Sequence, residues 1–172
     1  MRVLLACMGA WLLWSCEGIQ AGDYVVYRVA FERAAQTPNC FVGGLPPDEE
    51  QDTSNELTPD TWILYIGPDN EPYLDIGTTT LRGKRGGDQF TFDGHRVDVS
   101  VFSDEMGNTQ THTDALTTHV VINVDGTAIE GTFEQTEDRQ CSGTGCPEPF
   151  NCTTTKALVG SEVEDVELQH EV

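Results

Sequence analysis

Apolar and polar residues alternate with a period of two along most of this chain, and this alternation restricts the fold more than any other feature of the sequence. Successive side chains of an extended chain point to opposite faces, so the period predicts β-strands with one buried face. Val97, Val99 and Val101, for example, share one face and alternate with polar residues. We expect half-buried strands in the segments 24–32, 61–67, 72–77, 89–93, 95–102, 116–124, 127–136 and 152–160.

Short turn sequences separate these segments. Asp125-Gly126 is the clearest of them, because it stands between two alternating segments and favours a type I′ hairpin turn. Strands joined this closely must be antiparallel, since a parallel pair needs a long crossover connection. The other predicted turns are Gly67-Pro68-Asp69-Asn70, Lys84-Arg85-Gly86-Gly87-Asp88 and Asp93-Gly94.

An all-β antiparallel meander of about eight strands can bury its apolar faces as a closed up-and-down barrel or as a two-layer sandwich. Most connections in this sequence are local hairpins, so we expect the barrel in preference to the β-sandwich. Its layout is similar to that of the lipocalins, although none of the sequence motifs of that family is present. The β domain is predicted to span residues 24–160.

Three segments of the chain do not fit the strand pattern. Residues 45–60 combine prolines with a run of acids and are predicted to form an acidic surface loop, and residues 103–114 are also predicted to be a mobile loop. The acidic tail, 161–172, could add a last strand or a short helix. Neither period accommodates all four of its apolar residues, which are Val163, Val166, Leu168 and Val172.

The N-terminus has the order of a secretory signal peptide. Arg2 precedes an apolar run of 12 residues, Val3 to Trp14, and Ser15-Cys16 ends the run. A membrane-spanning helix needs about 20 apolar residues, so the run is too short to be retained as one. We therefore predict a signal peptide over residues 1–15 and a linker over residues 16–23.

The end of this segment, Leu13-Trp14-Ser15-Cys16, resembles the lipobox of bacterial lipoproteins, although Trp14 departs from the usual small or branched residue. The resemblance implies that Cys16 becomes the mature N-terminus, with a diacylglyceryl group on sulfur and a fatty acyl chain, commonly palmitate, on nitrogen. Two or three chains hold a protein on a membrane durably. The protein would then be a lipid-anchored component of the cell envelope, at the outer membrane or cell surface.

Two other cysteine and cleavage assignments compete with this one. Leu4-Leu5-Ala6-Cys7 fits the lipobox, but only three residues precede it and a further apolar segment would follow the lipid. Cleavage after Ala21, with Ile19 and Ala21 at the recognition positions, would instead release a soluble secreted protein.

The chain is strongly acidic, with a formal net charge of −20. Removal of the signal peptide takes away Arg2 and makes the charge still more negative. This charge argues against nucleic acid as a partner, because nucleic-acid binding relies on Lys and Arg to release counterions from phosphates. It also repels anionic headgroups, so the lipid on Cys16 would be the only membrane attachment.

Four cysteines remain after Cys7 and Cys16 are set aside. An even number in an exported chain predicts two disulfides. We expect Cys141–Cys152 to clamp the neck of a hairpin and Cys40 to pair with Cys146. The alternative, Cys141–Cys146 with Cys40–Cys152, stays open. A zinc site is disfavoured because the C-x2-C pairs typical of structural zinc are missing.

No set of residues carries a recognised catalytic or metal-binding motif. His112 and His119 are predicted to point to opposite faces, as a loop and a strand residue, and turn formation accounts for the oxygen-rich group Asp69-Asn70-Glu71 with Asp75. No nucleophile motif or phosphate-binding loop is present. We expect no catalytic residues, no metal and no cofactor, and an enzyme is the less favoured interpretation.

The sequence thus predicts a binding or structural module, with an unknown envelope protein as its partner. Two alternatives remain. A lipocalin-like carrier would hold a small apolar ligand in a cavity, and a cryptic hydrolase would use two facing carboxylates. The residues that could line such a cavity are Trp62, Leu64, Ile66, Phe90, Phe92 and Phe133.

Overall fold

The computed structural model describes residues 19, 21–40, 60–103 and 107–166. This part of the chain is all-β, with one short 3-10 turn at Pro38–Cys40. Nine strands are present in it: β1 (Tyr24–Phe31), β2 (Ala35–Gln36), β3 (Asp60–Ile66), β4 (Pro72–Asp75), β5 (Thr80–Gly86), β6 (Gln89–Ser103), β7 (Thr109–Asp125), β8 (Ala128–Gly143) and β9 (Phe150–Glu162).

Eight of these strands close into an antiparallel barrel. Each strand from β3 to β9 pairs with its neighbour in sequence, and β1 closes the barrel by pairing with both β3 and β9. The short β2 pairs with the early part of β9. The prediction of an up-and-down, lipocalin-like barrel is confirmed, because hairpins join the successive strands β3 to β9.

The barrel interior is filled by side chains. The residues predicted to line a cavity pack there against one another, and Trp62 is 1% exposed. Phe31 meets Trp62 edge to face at 5.6 Å and Phe133 at 5.9 Å between ring centroids. The largest fully buried side chains are Trp62, Tyr27, Phe90, Phe92, Leu64, Leu74, Ile122, Leu158, Val29 and Val120.

The barrel has two different ends. At the end called here the N-terminal end, β1 begins beside the end of β3, and the turns 67–71, 87–88 and 126–127 lie nearby. At the opposite end β5 stops pairing with β6 at Asp93, while β6, β7 and β8 continue. The long strands therefore leave the barrel at the end opposite to the N-terminus.

The predicted turn at Asp93-Gly94 is wrong. The segments 89–93 and 95–102 form one strand, β6, which pairs with β7 from Gln89 to Ser103 without interruption. Gly94 is needed for a different reason: a Cβ atom at this position would overlap the Leu81 side chain. A close approach between strands, and not a turn, explains this glycine.

Other segment predictions need correction as well. The predicted loop 103–114 is mostly strand, because β7 already begins at Thr109. The sequence pattern also failed to predict β5. The predicted acidic loop lies outside the described residues except for Asp60, which begins β3. Of the tail, Glu162 ends β9, the Val163 amide donates to the Val26 carbonyl, and residues 167–172 lie outside the described residues.

The Asp125-Gly126 hairpin is confirmed, but its turn type differs from the prediction. Asp125 pairs with Ala128, so Gly126 and Thr127 are the central residues. Gly126 has φ of 60°, and Thr127 is not among the described residues with positive φ. A positive φ at the first central position alone is typical of a type II′ turn.

Among the residues that the structure describes, no helix is long and apolar enough to span a membrane.

Candidate interaction surface

The most distinctive feature of the molecule is a β-sheet that extends beyond the barrel, called here the arm. It consists of residues 94–103 of β6, 109–118 of β7, 135–143 of β8 and 150–153 of β9. Pairing between β6 and β7 continues to Ser103 and Thr109, and pairing between β7 and β8 continues to Gln110 and Gly143. Ten residues of extended chain carry the arm about 30 Å beyond the barrel.

One edge of the arm is open. Residues 94–103 of β6 pair with β7 on one side and have no strand partner on the other within the described part of the chain. The open segment contains no proline, lysine or bulge, which are three of the features that usually prevent edge-to-edge association, and its charged residues are Arg96 and Asp98. Its unpaired backbone groups are therefore available to another strand.

The open edge also carries an exposed apolar stripe. Phe90 and Phe92 point into the barrel, and because β6 continues without a turn, the odd-numbered residues that follow them point outward. Val97 is 49% exposed, and Val99 and Val101 are each 63% exposed. The predicted strand is confirmed, but its valine face is not buried as the alternation had suggested. Exposed valines on an open edge are typical of an interaction site.

The opposite face of the arm is polar and internally paired. Arg96 Nε donates to Asp98 Oδ2 at 2.7 Å, and this hydrogen bond raises the pKa of the Arg96 guanidinium above its ordinary value. Arg139 Nε donates to Glu137 Oε1 at 2.7 Å, and the guanidinium lies over the Phe150 ring. These charges are satisfied within the arm and keep this face hydrated.

The other edge of the arm is protected at its base. The short β2 covers β9, the Thr37 amide donates to the Thr153 carbonyl at 3.0 Å, and a disulfide joins Cys40 to Cys152. The β9 edge is thus covered at the base of the arm, whereas residues 94–103 of β6 have no strand partner on their outer side among the described residues.

The four cysteines form two disulfides, as predicted, but not in the preferred pairing. The bonds are Cys40–Cys152 and Cys141–Cys146, which is the alternative connectivity. Cys152 pairs in register with Glu137, so β8 runs four residues further before it reaches Cys141. Four residues of strand span about 13 Å, which is too far for a Cys141–Cys152 bond.

The two histidines lie on opposite faces of β7, although His112 is a strand residue and not a loop residue. The His112 ring packs edge to face against Phe102, with 5.2 Å between centroids. His119 Nδ1 lies 2.7 Å from Asp93 Oδ1. No group of three or more His, Cys, Asp or Glu residues that could hold a metal occurs in the part of the chain described.

The oxygen-rich segment near Asp69 forms a turn. The Tyr73 hydroxyl donates to Asp69 Oδ2 at 2.8 Å and lowers the pKa of the Asp69 carboxyl below its ordinary value, and Arg82 lowers it further. A general acid needs a raised pKa, so this carboxyl has the opposite property. The turn explains these residues without a catalytic or metal-binding role.

The N-terminal segment is attached to the barrel end opposite the arm. Cys16 and the predicted signal peptide lie outside the described residues. Ile19 packs against the core, and its carbonyl accepts a hydrogen bond from Arg85 Nη1 at 3.2 Å. Ala21 bridges to Ile66, whose carbonyl accepts the Gly22 amide at 3.1 Å.

Grooves on the barrel surface are open to solvent. One of about 510 Å³ is lined by β1 and by residues 162–166. Another, of about 500 Å³, lies at the N-terminal end between Ile19, Arg85 and Asp125. The second groove is also lined by Tyr27 and Phe90 and therefore reaches the N-terminal mouth of the barrel, whose interior beyond these residues is occupied by packed side chains.

Comparison of the chain with protein-family models, with curated proteins and with solved structures finds no match. Sequence reasoning missed the arm because Asp93-Gly94 was interpreted as a turn. One feature of the sequence did indicate the arm. The apolar residues before Asp93-Gly94, Phe90 and Phe92, have even numbers, whereas the valines that follow it have odd numbers.

Proposed function

We propose that this protein is a lipid-anchored binding module of the cell envelope that presents an open-edged β-sheet arm to a protein partner. The barrel serves as a rigid base. The arm binds by strand addition, in which main-chain hydrogen bonds join an extended segment to the exposed β6 edge and the valine stripe contributes apolar contacts.

One observation carries this proposal: the N-terminal segment and the arm lie at opposite ends of the barrel. Ile19 and Ala21 contact residues at the N-terminal end, whereas β6 and β7 extend from the other end. Two residues separate Cys16 from Ile19, and the three Cα–Cα steps between them span about 11 Å at most. A lipid on Cys16 would therefore hold the N-terminal end next to the membrane, and the arm would project away from it.

The packing of Ile19 supports processing before Cys16 in preference to cleavage after Ala21. Cleavage after Ala21 would remove Ile19 from its contact with the core and would remove the carbonyl that accepts from Arg85. Cleavage before Cys16 would retain both contacts.

Charge supports a tether as the means of attachment. The N-terminal end carries more acidic than basic side chains, so anionic headgroups repel it and the tether must supply the binding energy. Lys84 and Arg85 offset this charge in part. The acidic residues near this end include Asp23, Asp69, Asp88, Asp125 and Glu162.

The filled interior supports a binding module over a carrier. A carrier of small apolar molecules needs a cavity, yet Trp62, Phe90 and Phe92 are almost fully buried against one another and their neighbours. The open edge of β6 offers a site for a protein segment instead. The arm therefore favours a protein partner over a small ligand.

Cell fractionation of Cys16→Ser tests the anchor. The unchanged protein should sediment with membranes, and Cys16→Ser should move to the soluble fraction. Cys7→Ser is the matched control, since it removes the other lipobox-like cysteine and should leave the protein in the membrane. Intact-mass analysis of membrane-extracted protein should show an acylated chain that begins at Cys16. A chain without acyl mass that begins at Gly22 would overturn the anchor.

A further inference from the structure

We propose that the open edge of β6 pairs with the same edge of a second copy of this chain, antiparallel and centred on Val99. The resulting homodimer would join two arms into one continuous sheet with the two barrels at its opposite ends, so it would join copies that are released from the membrane or anchored on facing membranes. This inference rests on the arm edge named under the proposed function as its contact surface, but it does not require the lipid at Cys16.

Symmetry limits the possible registers to a few. Two identical antiparallel edges that share a sheet are related by a two-fold axis perpendicular to it, so residues on the same face must stand opposite one another. The axis therefore passes through a residue of β6. Axes at Val97, Asp98, Val99 and Ser100 lie closest to the middle of the open segment, and an axis at Ser100 would pair only residues 97–103.

The axis at Val99 gives the best side-chain match. Val99 faces Val99 of the second copy, and Val97 faces Val101 of the second copy, so the two valine stripes form one apolar surface. On the polar face, Asp98 stands opposite Ser100, which can donate a hydrogen bond to it. Arg96 stands opposite Phe102, which is 58% exposed and can accept a cation–π contact.

The neighbouring registers are poorer. An axis at Asp98 places the two Asp98 carboxylates directly opposite one another, and like charges in that position are destabilising. An axis at Val97 requires Val101 to face Asp93, whose outer side is already occupied by Arg82 of β5. The axis at Val99 instead uses residues 95–103, which fills the open segment without disturbing the barrel.

The proposed contact is of modest strength. Nine residue pairs supply about nine main-chain hydrogen bonds, within the range of a typical protein interface. The contact area of one strand pair is smaller than a standard interface of roughly 1,600 Å², so the dimer should dissociate readily on dilution. Each copy carries a net charge near −20, so the dimer should strengthen as salt screens this repulsion.

Single-cysteine substitutions test the register in the full-length protein. Val99→Cys places two thiols on the proposed axis, and opposite Cα atoms about 4.5–5.5 Å apart lie within the range of a disulfide. Most of the purified Val99→Cys protein should therefore migrate as a reducible dimer after mild oxidation in detergent solution. Val101→Cys is the matched control, because its own counterpart lies about four residues away along the sheet, and it should stay monomeric.

Other crosslinking results would overturn the proposed pairing. Equal crosslinking of Val99→Cys and Val101→Cys would indicate random collision, and crosslinking of Asp98→Cys above Val99→Cys would indicate another register. Absence of any Val99→Cys dimer would exclude a second copy as the partner of this edge. A Val99→Cys adduct with a different protein would exclude it as well.

A second measurement uses light scattering on the purified protein in detergent. The mass should rise toward twice the monomer value with concentration and with added salt. Val99→Lys sets two ammonium groups on the axis and should leave only monomer at every concentration. Ser142→Lys adds the same charge to the same face of the arm, two strands away from the edge, and should dimerise like the unchanged protein.

The two proposals fail separately. If Cys16→Ser does not change fractionation but Val99→Cys crosslinks, the anchor is wrong and the dimer stands. If Cys16→Ser moves to the soluble fraction and Val99→Lys has the same mass behaviour as the unchanged protein, the anchor stands and the dimer is wrong. Unchanged thermal unfolding of Val99→Lys would show that its fold is intact.

Discussion

The Leu81 side chain of β5 occupies the space that a Cβ atom would fill at Gly94 of β6. This contact lies where β5 ends its pairing with β6 and the arm begins. Leu81 is 2% exposed and belongs to the core, so it cannot move aside freely.

Gly94→Ala should destabilise the protein by about 1–3 kcal/mol, because the added methyl group overpacks the Leu81 site. Urea unfolding followed by circular dichroism measures this loss. Gly86→Ala is the matched control, since a Cβ atom added at Gly86 would meet nothing within 4 Å and the φ of this residue is not positive. The control should be near neutral, and an equal loss in both variants would show that the Leu81 contact is not the cause.

Gly94 also shows where sequence reasoning stops. Local pattern predicted the strands and the antiparallel order, because alternation and short turns are properties of neighbouring residues. Asp93-Gly94 has the composition of a turn, and only the packing of Leu81 from another strand reveals why a glycine stands there. The face that the valines occupy depends on whether Asp93-Gly94 is a turn or part of a strand. The exposed stripe therefore could not be predicted from the local pattern.

The disulfides illustrate the same limit. The even cysteine count predicted two bonds, but the pairing depends on how far β8 extends past β9. Cys152 lies level with Glu137, and nothing local to either cysteine specifies this register. The residues that bring Cys40 to β9, including Thr37 and its bond to the Thr153 carbonyl, act across a separation of more than 100 residues.

Removal of the Cys40–Cys152 bond should cost more stability than removal of Cys141–Cys146. The first closes a loop with a sequence separation of 112 residues, and the second closes one of 5. Cross-links that close longer loops restrict the unfolded chain more. We expect a loss of about 2–4 kcal/mol for Cys40→Ser with Cys152→Ser, and roughly half of that for Cys141→Ser with Cys146→Ser. Urea midpoints in the reverse order would contradict this account.

The pKa of Tyr27 predicts a weakening of the fold in alkaline solution. Burial raises the pKa of its hydroxyl to about 12, and the charge of Glu162 contributes to the rise. The unfolded chain loses this proton near pH 10, so the stabilisation is complete below pH 10 and is lost as pH rises toward 12. The unchanged protein should lose about 1–2 kcal/mol more than Tyr27→Phe between these pH values. Parallel pH profiles for the two proteins would exclude Tyr27 as the cause.

Trp62 provides a direct test of the filled interior. The chain has three tryptophans, and the other two, Trp11 and Trp14, lie within the predicted signal peptide. Trp62 is 1% exposed and packs against Phe31, so the fluorescence of the processed protein should report the barrel interior alone. Titration with a fatty acid or an apolar dye should leave this emission unchanged, because buried side chains of the core pack around the ring.

Trp62→Ala should create that space. The substitution removes a large buried side chain and should cost about 3–5 kcal/mol of stability, measured by urea unfolding. If the variant remains folded, an apolar dye should bind it and show enhanced emission, because an apolar cavity accepts small apolar molecules. The unchanged protein is the control and should show no such enhancement. Saturable quenching of Trp62 in the unchanged protein would instead mean that the barrel opens to ligands, and would favour the carrier over the binding module.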